Sequence, residues 1–158
     1  MRIVSLVPSL TEYLWALGLD TEVVGITKFC VHPQVWKQTK AKVGGTKKVN
    51  FEAIHKLVPD LIIANREENT KEDIALLEQH FEVLLTDINS LEQAYAYLLL
   101  IGERVGKKTE AEQLLLQIQT QFQSVSHIGQ GASFLYLIWK DPYFVVGPNT
   151  YIHAFLSH

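Results

Sequence analysis

The chain has 158 residues, of which 47% are hydrophobic, 20% charged and 10% aromatic. This composition is typical of a folded globular protein and excludes a disordered chain. The 14 Lys and Arg residues against 17 Asp and Glu residues give a formal net charge of −3, which argues against a nucleic-acid-binding protein. The single cysteine, Cys30, excludes an internal disulfide and any zinc site built on cysteine pairs.

The amino-terminal segment has no pattern of a targeting signal. An apolar run follows Met1 and Arg2 but stops at Pro8, so it is too short for a signal-peptide core. No apolar run elsewhere approaches the roughly 18 residues that suggest a membrane span. Taken alone, this pattern predicts a cytoplasmic protein or a mature form from which a signal has been removed.

Short apolar runs alternate with helical patterns along the first half of the chain. Ser9 and Glu12 have the spacing of a capping box, which predicts a helix ending near Gly18. Asn50 is a candidate N-cap for a second helix, and another helix is expected to begin near Thr70. Strands are predicted over residues 2–7, 22–27, 43–45, 60–64 and 81–86.

The second half begins with the longest helical pattern in the sequence. Ser90 predicts the N-cap of a helix that runs from Leu91 to about Val125, bent near Gly102 or Gly106. A Gly- and Ser-rich break follows, then a strand over residues 134–139 and a last helix capped by Thr150. We therefore predict a first lobe over residues 1–88, a connecting helix over 89–126, and the beginning of a second lobe over 127–158.

The alternation of strands and helices predicts an α/β fold with a mainly parallel sheet and helices on both faces. Ligands of such sheets bind outside the carboxyl ends of the strands. The segments after the predicted strands mix aromatic, glycine, amide and charged residues, which suits a small-molecule site. Ser9 lies at the first of these ends, where it either caps its helix or contacts a ligand.

Two other strand ends leave alternatives open. Cys30 and His32 allow metal ligation, a nucleophile–base pair, or a plain structural role; His32 is the better metal ligand of the two. Asn65 and Arg66 belong either to a solvated loop or to the contacts of an anionic or amide-bearing ligand. No nucleotide-binding glycine motif occurs in the sequence.

Several segments, in the same order along the chain, resemble one known family. They are RIVSLVPSLTEYLWALGL, EVVGIT with the CVHP loop, KVGG, NFEAIHKLVPDLIIA and FLYLIWKDPYFVVGPNTYIH. They are similar to the substrate-binding proteins of ABC importers in the helical-backbone metal-receptor class, the class III periplasmic binding proteins for cobalamin, haem and ferric siderophores. The turn and Gly147 before the last helix suit the cobalamin-type branch best.

The resemblance implies a binding protein and not an enzyme, with no intrinsic cofactor and a transported ligand that is cobalamin or an iron chelate such as haem or a siderophore. It implies a ligand held between two lobes, an ABC permease as partner and a periplasmic location. Glu72 is the implied permease-docking carboxylate, ahead of Glu67 and Glu68. The implied ligand contacts are Pro8, Ser9, Phe29, Cys30, His32, Gly45, Asn65, Arg66, Trp139 and Pro142.

The sequence departs from the family pattern in having no leader and only the opening of a second lobe. We expect a fragment, a truncated product or a chain that completes itself in a dimer, because so small a second lobe buries little apolar surface. Two other functions stay as alternatives. One is a cytoplasmic corrinoid- or metal-handling protein on the same fold, and the other is a flavodoxin-like enzyme using Cys30 and His32.

Overall fold

The computed structural model describes residues 1–125 and 131–157. The chain divides into two compact units, Met1–Asp87 and Ile88–His158. The predicted boundary between residues 126 and 127 lies outside the described residues. Within the described part, no helix combines the length and the apolar character needed to cross a membrane.

The first unit is built on a five-stranded sheet with the strand order β3-β2-β1-β4-β5. Every neighbouring pair of strands is parallel, which confirms the predicted parallel sheet. The strands are β1 (Ile3–Ser5), β2 (Val23–Ile26), β3 (Ala41–Lys42), β4 (Leu61–Asn65) and β5 (Val83–Thr86).

Four helices connect these strands, and two of them begin at the predicted caps. The Asn50 side chain accepts a hydrogen bond from Ala53 N, and the Thr70 side chain accepts one from Asp73 N. Each cap satisfies a backbone N–H that the first helical turn leaves without a partner. The helices are α1 (Pro8–Ala16), α2 (Gln34–Thr39), α3 (Phe51–Leu57) and α4 (Lys71–Glu78).

The predicted capping box at Ser9 is wrong. Helix α1 begins at Pro8, Val7 occupies the N-cap position, and no side chain makes a capping hydrogen bond. Proline favours the first helical position because its fixed φ suits the helix and its missing N–H costs nothing there. Ser9 therefore lies inside the first turn, one residue beyond the start of the helix.

The core of the first unit occupies both faces of the sheet. Val4 of β1 packs in one buried cluster with Ile54 of α3 and Leu77 of α4. Ser5 projects to the opposite face, because side chains alternate along a strand, and its hydroxyl lies 2.7 Å from the hydroxyl of Thr11 in α1. Helices thus cover both faces, as predicted.

The second unit begins with two helices, so the expected single long helix is wrong. Helix α5 (Leu91–Arg104) is capped by Ser90, as predicted, and α6 (Lys108–Val125) follows after a short break. Gly106 lies in the break with φ of 72°. That left-handed conformation suits glycine and ends a helix rather than bending it.

The rest of the second unit is a small antiparallel sheet and one helix. The strands β6 (Leu137–Trp139) and β7 (Phe144–Val145) precede α7 (Tyr151–Leu156), which Thr150 caps as predicted. The strand expected over 134–139 is shorter than predicted. Its side chains and those of β7 are exposed, 51% for Leu137 and 54% for Phe144, so this sheet has no buried face within the unit.

Candidate ligand-binding site

All five strands of the first unit are parallel, so their carboxyl ends lie along one edge of the sheet, called here the carboxyl edge. β1 is central, with β2 on one side and β4 on the other. The chain order changes direction at this point, and α/β sheets form their ligand crevices at such positions. Pro8, Phe29, Gly45 and Arg66 follow β1, β2, β3 and β4 closely along the chain.

The first turn of α1 faces this edge without a side-chain cap. Pro8 is half-buried, Ser9 is exposed, and no acidic residue lies in the first turn. The backbone N–H groups of a first turn carry the positive end of the helix dipole. Of the two roles that the sequence leaves to Ser9, the structure excludes capping.

A groove of about 620 Å³ lies where β2 and β3 end. Backbone hydrogen bonds shape its walls: Lys28 N donates to Gly44 O at 2.8 Å, and Gly45 N donates to Lys48 O at 2.9 Å. A Cβ atom at Gly45 would lie 3.1 Å from Cε2 of Phe29, so glycine lets the Phe29 ring approach this loop. We call it the lysine groove; its lining includes Lys28, Phe29, Gly44, Gly45, Lys47, Lys48, Asn50 and Glu52.

Among the described residues, three lysines and one glutamate line the lysine groove. The Nζ atom of Lys28 lies 5.1 Å from the centroid of the Phe29 ring, within the range of a cation–π contact. Lys47 Nζ donates to the backbone carbonyl of Glu67, which holds this side chain against the next loop. The groove is therefore positive in a chain whose net charge is −3.

A second groove, of about 600 Å³, lies beside α4 and has Arg66 in its lining. The Arg66 guanidinium donates to a carboxylate oxygen of Asp87 at 2.8 Å, and 69% of the Arg66 side-chain surface is exposed. An ion pair this exposed is held weakly. Arg66 is thus at the carboxyl edge, where a ligand or solvent can reach it.

Asn65, predicted as a ligand contact, uses its side chain to hold the loop after β4. Its Oδ1 atom accepts hydrogen bonds from the N–H groups of Glu67 and Glu68, and its Nδ2 donates to Thr86 Oγ1 at 3.0 Å. Asn69, which sequence reasoning missed, accepts from Asn65 N at 2.9 Å and donates to Thr46 O at 3.0 Å. Asn69 joins the loops after β3 and β4, and Asn65 ties the loop after β4 to the end of β5, so the two amides set the shape of the carboxyl edge.

The structure separates the two residues of the Cys30–His32 pair. Cys30 is fully buried, and its Sγ atom lies 3.1 Å from Thr11 Oγ1, which donates to it, and 3.2 Å from Thr27 Oγ1. His32 is exposed. Cys30 thus lies inside the first unit and not on its surface. Among the described residues, no group of three His, Cys, Asp or Glu side chains could hold a metal ion.

The remaining candidates lie at the surface. Glu72 is exposed in the first turn of α4, while its neighbour Asp73 accepts a hydrogen bond from Val49 N at 3.2 Å. Trp139 in β6 is 64% exposed, and Pro142 in the turn after it is also exposed. Sequence reasoning did not identify Lys28 and Lys48 as ligand contacts. The one signal in the sequence is that both lysines lie in the segments after neighbouring strands, β2 and β3.

The parallel sheet with this strand order, helices on both faces and a groove at its carboxyl edge define the fold class as an α/β lobe. Residues 3–158 match the periplasmic binding protein family, and the chain belongs to that family, as predicted. An uncharacterized ABC transporter substrate-binding lipoprotein of Bacillus subtilis is 30% identical over 99% of this chain and 52% of its own length. A vitamin B12-binding protein of Vibrio vulnificus is 34% identical over 58% of this chain and 33% of its own.

Solved structures show the same fold. The periplasmic vitamin B12-binding protein of Vibrio cholerae superposes with a TM-score of 0.84 at 20% identity, over 97% of this chain and 61% of that one. A periplasmic heme-binding protein from Pseudomonas aeruginosa gives a TM-score of 0.81 at 26% identity, over 94% of this chain and 57% of that one. The chain therefore matches between about one third and three-fifths of the length of these relatives.

Proposed function

We propose that this chain is part of the substrate-binding component of an ABC importer and that it binds a metal chelate without chemical change. Its family membership and its relatives, which are named as vitamin B12-binding proteins and as an ABC transporter substrate-binding lipoprotein, support this function. The observation that carries the proposal is the lysine groove at the carboxyl edge, which also presents the exposed Arg66 and a helix whose first turn has no cap.

The proposed ligand contacts in the first unit are exposed or half-exposed groups of this edge, namely the first turn of α1 at Pro8 and Ser9, the Phe29 ring and Arg66. Gly45 is buried and is proposed as a contact because it lines the lysine groove. Cys30 and Asn65 are proposed to support this surface and not to contact the ligand, because their polar atoms form hydrogen bonds within the unit. His32, Trp139 and Pro142 remain predicted contacts, and residues 89–126 keep the predicted role of a connecting segment.

The proposed partner is an ABC permease, and the proposed location is the periplasm or the outer face of the membrane. Glu72 is the proposed docking carboxylate, supported by its exposure and by its place in the first turn of α4. We expect Glu72→Arg to weaken binding to the cognate permease in proteoliposomes while ligand affinity is unchanged. Glu103→Arg, at an exposed position near the end of α5 and outside both grooves, is the control. Equal effects of both variants would remove Glu72 from the proposal.

Equilibrium dialysis of the purified 158-residue chain against haemin, cyanocobalamin and ferrioxamine tests the function directly. We expect saturable binding of at least one chelate at a single site. Binding of free Co²⁺ or Fe³⁺ in preference to every chelate would favour the metal-handling alternative. Absence of binding to all three chelates would overturn the proposed function.

A further inference from the structure

The lysine groove contains cationic groups that no ion pair within the described residues neutralises. Lys28 has its ammonium above the Phe29 ring, and Lys48 is exposed on the loop after β3. Neither forms a salt bridge within residues 1–125 and 131–157. An ammonium group at the wall of a groove attracts an anion more strongly than one paired with a carboxylate.

The other polar groups of the groove leave the net charge of its lining positive. The Asn50 side chain accepts from Ala53 N at 3.0 Å as the cap of α3, so its oxygen is occupied. Lys47 donates to the Glu67 carbonyl, which is uncharged, so the positive charge of Lys47 stays in the groove. Among the described residues, Glu52 is the one carboxylate of the lining, and the Asp73 carboxylate outside it accepts from Val49 N at 3.2 Å. The lining thus has a net positive charge.

The groove also offers an apolar surface beside these cations. Phe29 is 51% exposed, and Gly45, which carries no side chain, lies against its ring. A flat organic ligand with acidic substituents can place its apolar part on the ring while its anionic groups reach Lys28 and Lys48. A neutral ligand uses the ring alone, and a cationic ligand is repelled by the lysines.

From this arrangement we infer that the transported chelate carries a net negative charge, on carboxylate or catecholate groups, and that Lys28 and Lys48 select it over neutral and cationic chelates. The inference rests on the proposed function and narrows its substrate class. Two sources share this chemistry: a porphyrin chelate with carboxylate arms, and an iron chelate with acidic oxygen ligands.

The test compares four probes by equilibrium dialysis: haemin, a ferric tris-catecholate complex, cyanocobalamin, which has no net charge, and ferrioxamine, which is cationic. We expect one of the two anionic probes to bind at least tenfold more tightly than the neutral and cationic ones. Comparison of haemin with the catecholate complex distinguishes the two anionic sources. Raising the salt concentration is expected to weaken the anionic probe selectively.

Lysine variants assign the selectivity to the groove. We expect Lys28→Gln and Lys48→Gln each to weaken the anionic probe about two- to fivefold, the range of an exposed charge pair, and the double variant about tenfold. Lys56→Gln is the matched control. Lys56 is exposed near the end of α3, where the neighbouring Leu57 carbonyl accepts from Arg2 Nε, so it lies at the opposite edge of the sheet.

The outcomes separate this inference from the proposed function. Tightest binding of cyanocobalamin or ferrioxamine, or an anionic probe whose affinity is unchanged in the double variant, overturns the inference and leaves the function standing. An equal loss in Lys56→Gln also overturns it, because the effect would then come from net charge and not from the groove. Failure of all four probes to bind overturns both.

Discussion

Substitution of Asn69 tests most directly which hydrogen bonds hold the loops of the carboxyl edge together. Asn69 is only 5% exposed and joins two loops, accepting from Asn65 N at 2.9 Å and donating to Thr46 O at 3.0 Å. Asn69→Ala removes both hydrogen bonds and leaves the Asn65 N–H and the Thr46 carbonyl without these partners, each at a cost of about 1–3 kcal/mol. We expect the free energy of unfolding to fall by about 2–4 kcal/mol, allowing for partial access of water to Asn65.

The assay is urea denaturation followed by circular dichroism. With a slope of about 2 kcal/mol per M, the expected loss lowers the midpoint by about 1–2 M and leaves the slope unchanged. Gln38→Ala, which removes an exposed amide in α2 of the same unit, is the control. Its effect is expected to stay within about 0.5 kcal/mol.

Hydrogen exchange provides a local readout of the same variant. The Asn65 amide proton should lose protection in Asn69→Ala, because its acceptor is the Oδ1 atom that the substitution removes. A midpoint equal to that of Gln38→Ala, with Asn65 still protected, would refute the reasoning. We also expect Asn69→Ala to weaken chelate binding, since Thr46 follows directly on the loop that lines the lysine groove.

Three further predictions follow from local geometry. Gly44→Ala should destabilise the protein by more than about 2 kcal/mol, because φ is 97° and a Cβ would meet backbone atoms at 2.7 Å. Gly18→Ala should cost about 1 kcal/mol, because φ is 74° but the space around the new Cβ is open. Equal losses of stability in urea denaturation would contradict this prediction. Burial raises the pKa of Tyr13 to about 12, whereas the phenol of the unfolded chain ionises near pH 10. The free energy of unfolding should therefore fall as the pH rises from about 10 to 12, and Tyr13→Phe should remove this dependence. An unchanged pH dependence in Tyr13→Phe would contradict the prediction. Cys30 is fully buried, so a thiol reagent should modify it only after unfolding. Fast reaction of the native protein would contradict this and would favour the alternative of an enzyme that uses Cys30 and His32.

Helix starts were the most predictable part of the fold. Asn50, Thr70, Ser90 and Thr150 all cap helices, and in each case the side chain accepts from the N–H three residues ahead. Such contacts are local, so the sequence contains all the information they need. The failure at Ser9 has a local cause as well, since Pro8 takes the first helical position and moves the cap to Val7.

Side-chain direction at the strand ends was not predictable. Cys30 and Asn65 both follow strands, where ligand contacts are expected, yet Cys30 turns inward to Thr11 and Asn65 turns across to Thr86. Each partner is about 20 residues away along the chain, so neither contact has a local signature. The same reason explains why the lysine groove was missed, because Lys28 and Lys48 meet only once β2 and β3 are paired.

The sequence by itself determined the parallel α/β first unit and the caps of most helices, because these depend on hydrophobic periodicity and on contacts within one helical turn. The family came from the resemblance of several sequence segments in the same order along the chain. Only the tertiary structure decided that the long helical pattern divides at Gly106, that Cys30 is interior and that three lysines line one groove. These features depend on backbone conformation and on contacts between segments distant along the chain, and the free energy of packing, not local preference, selects them.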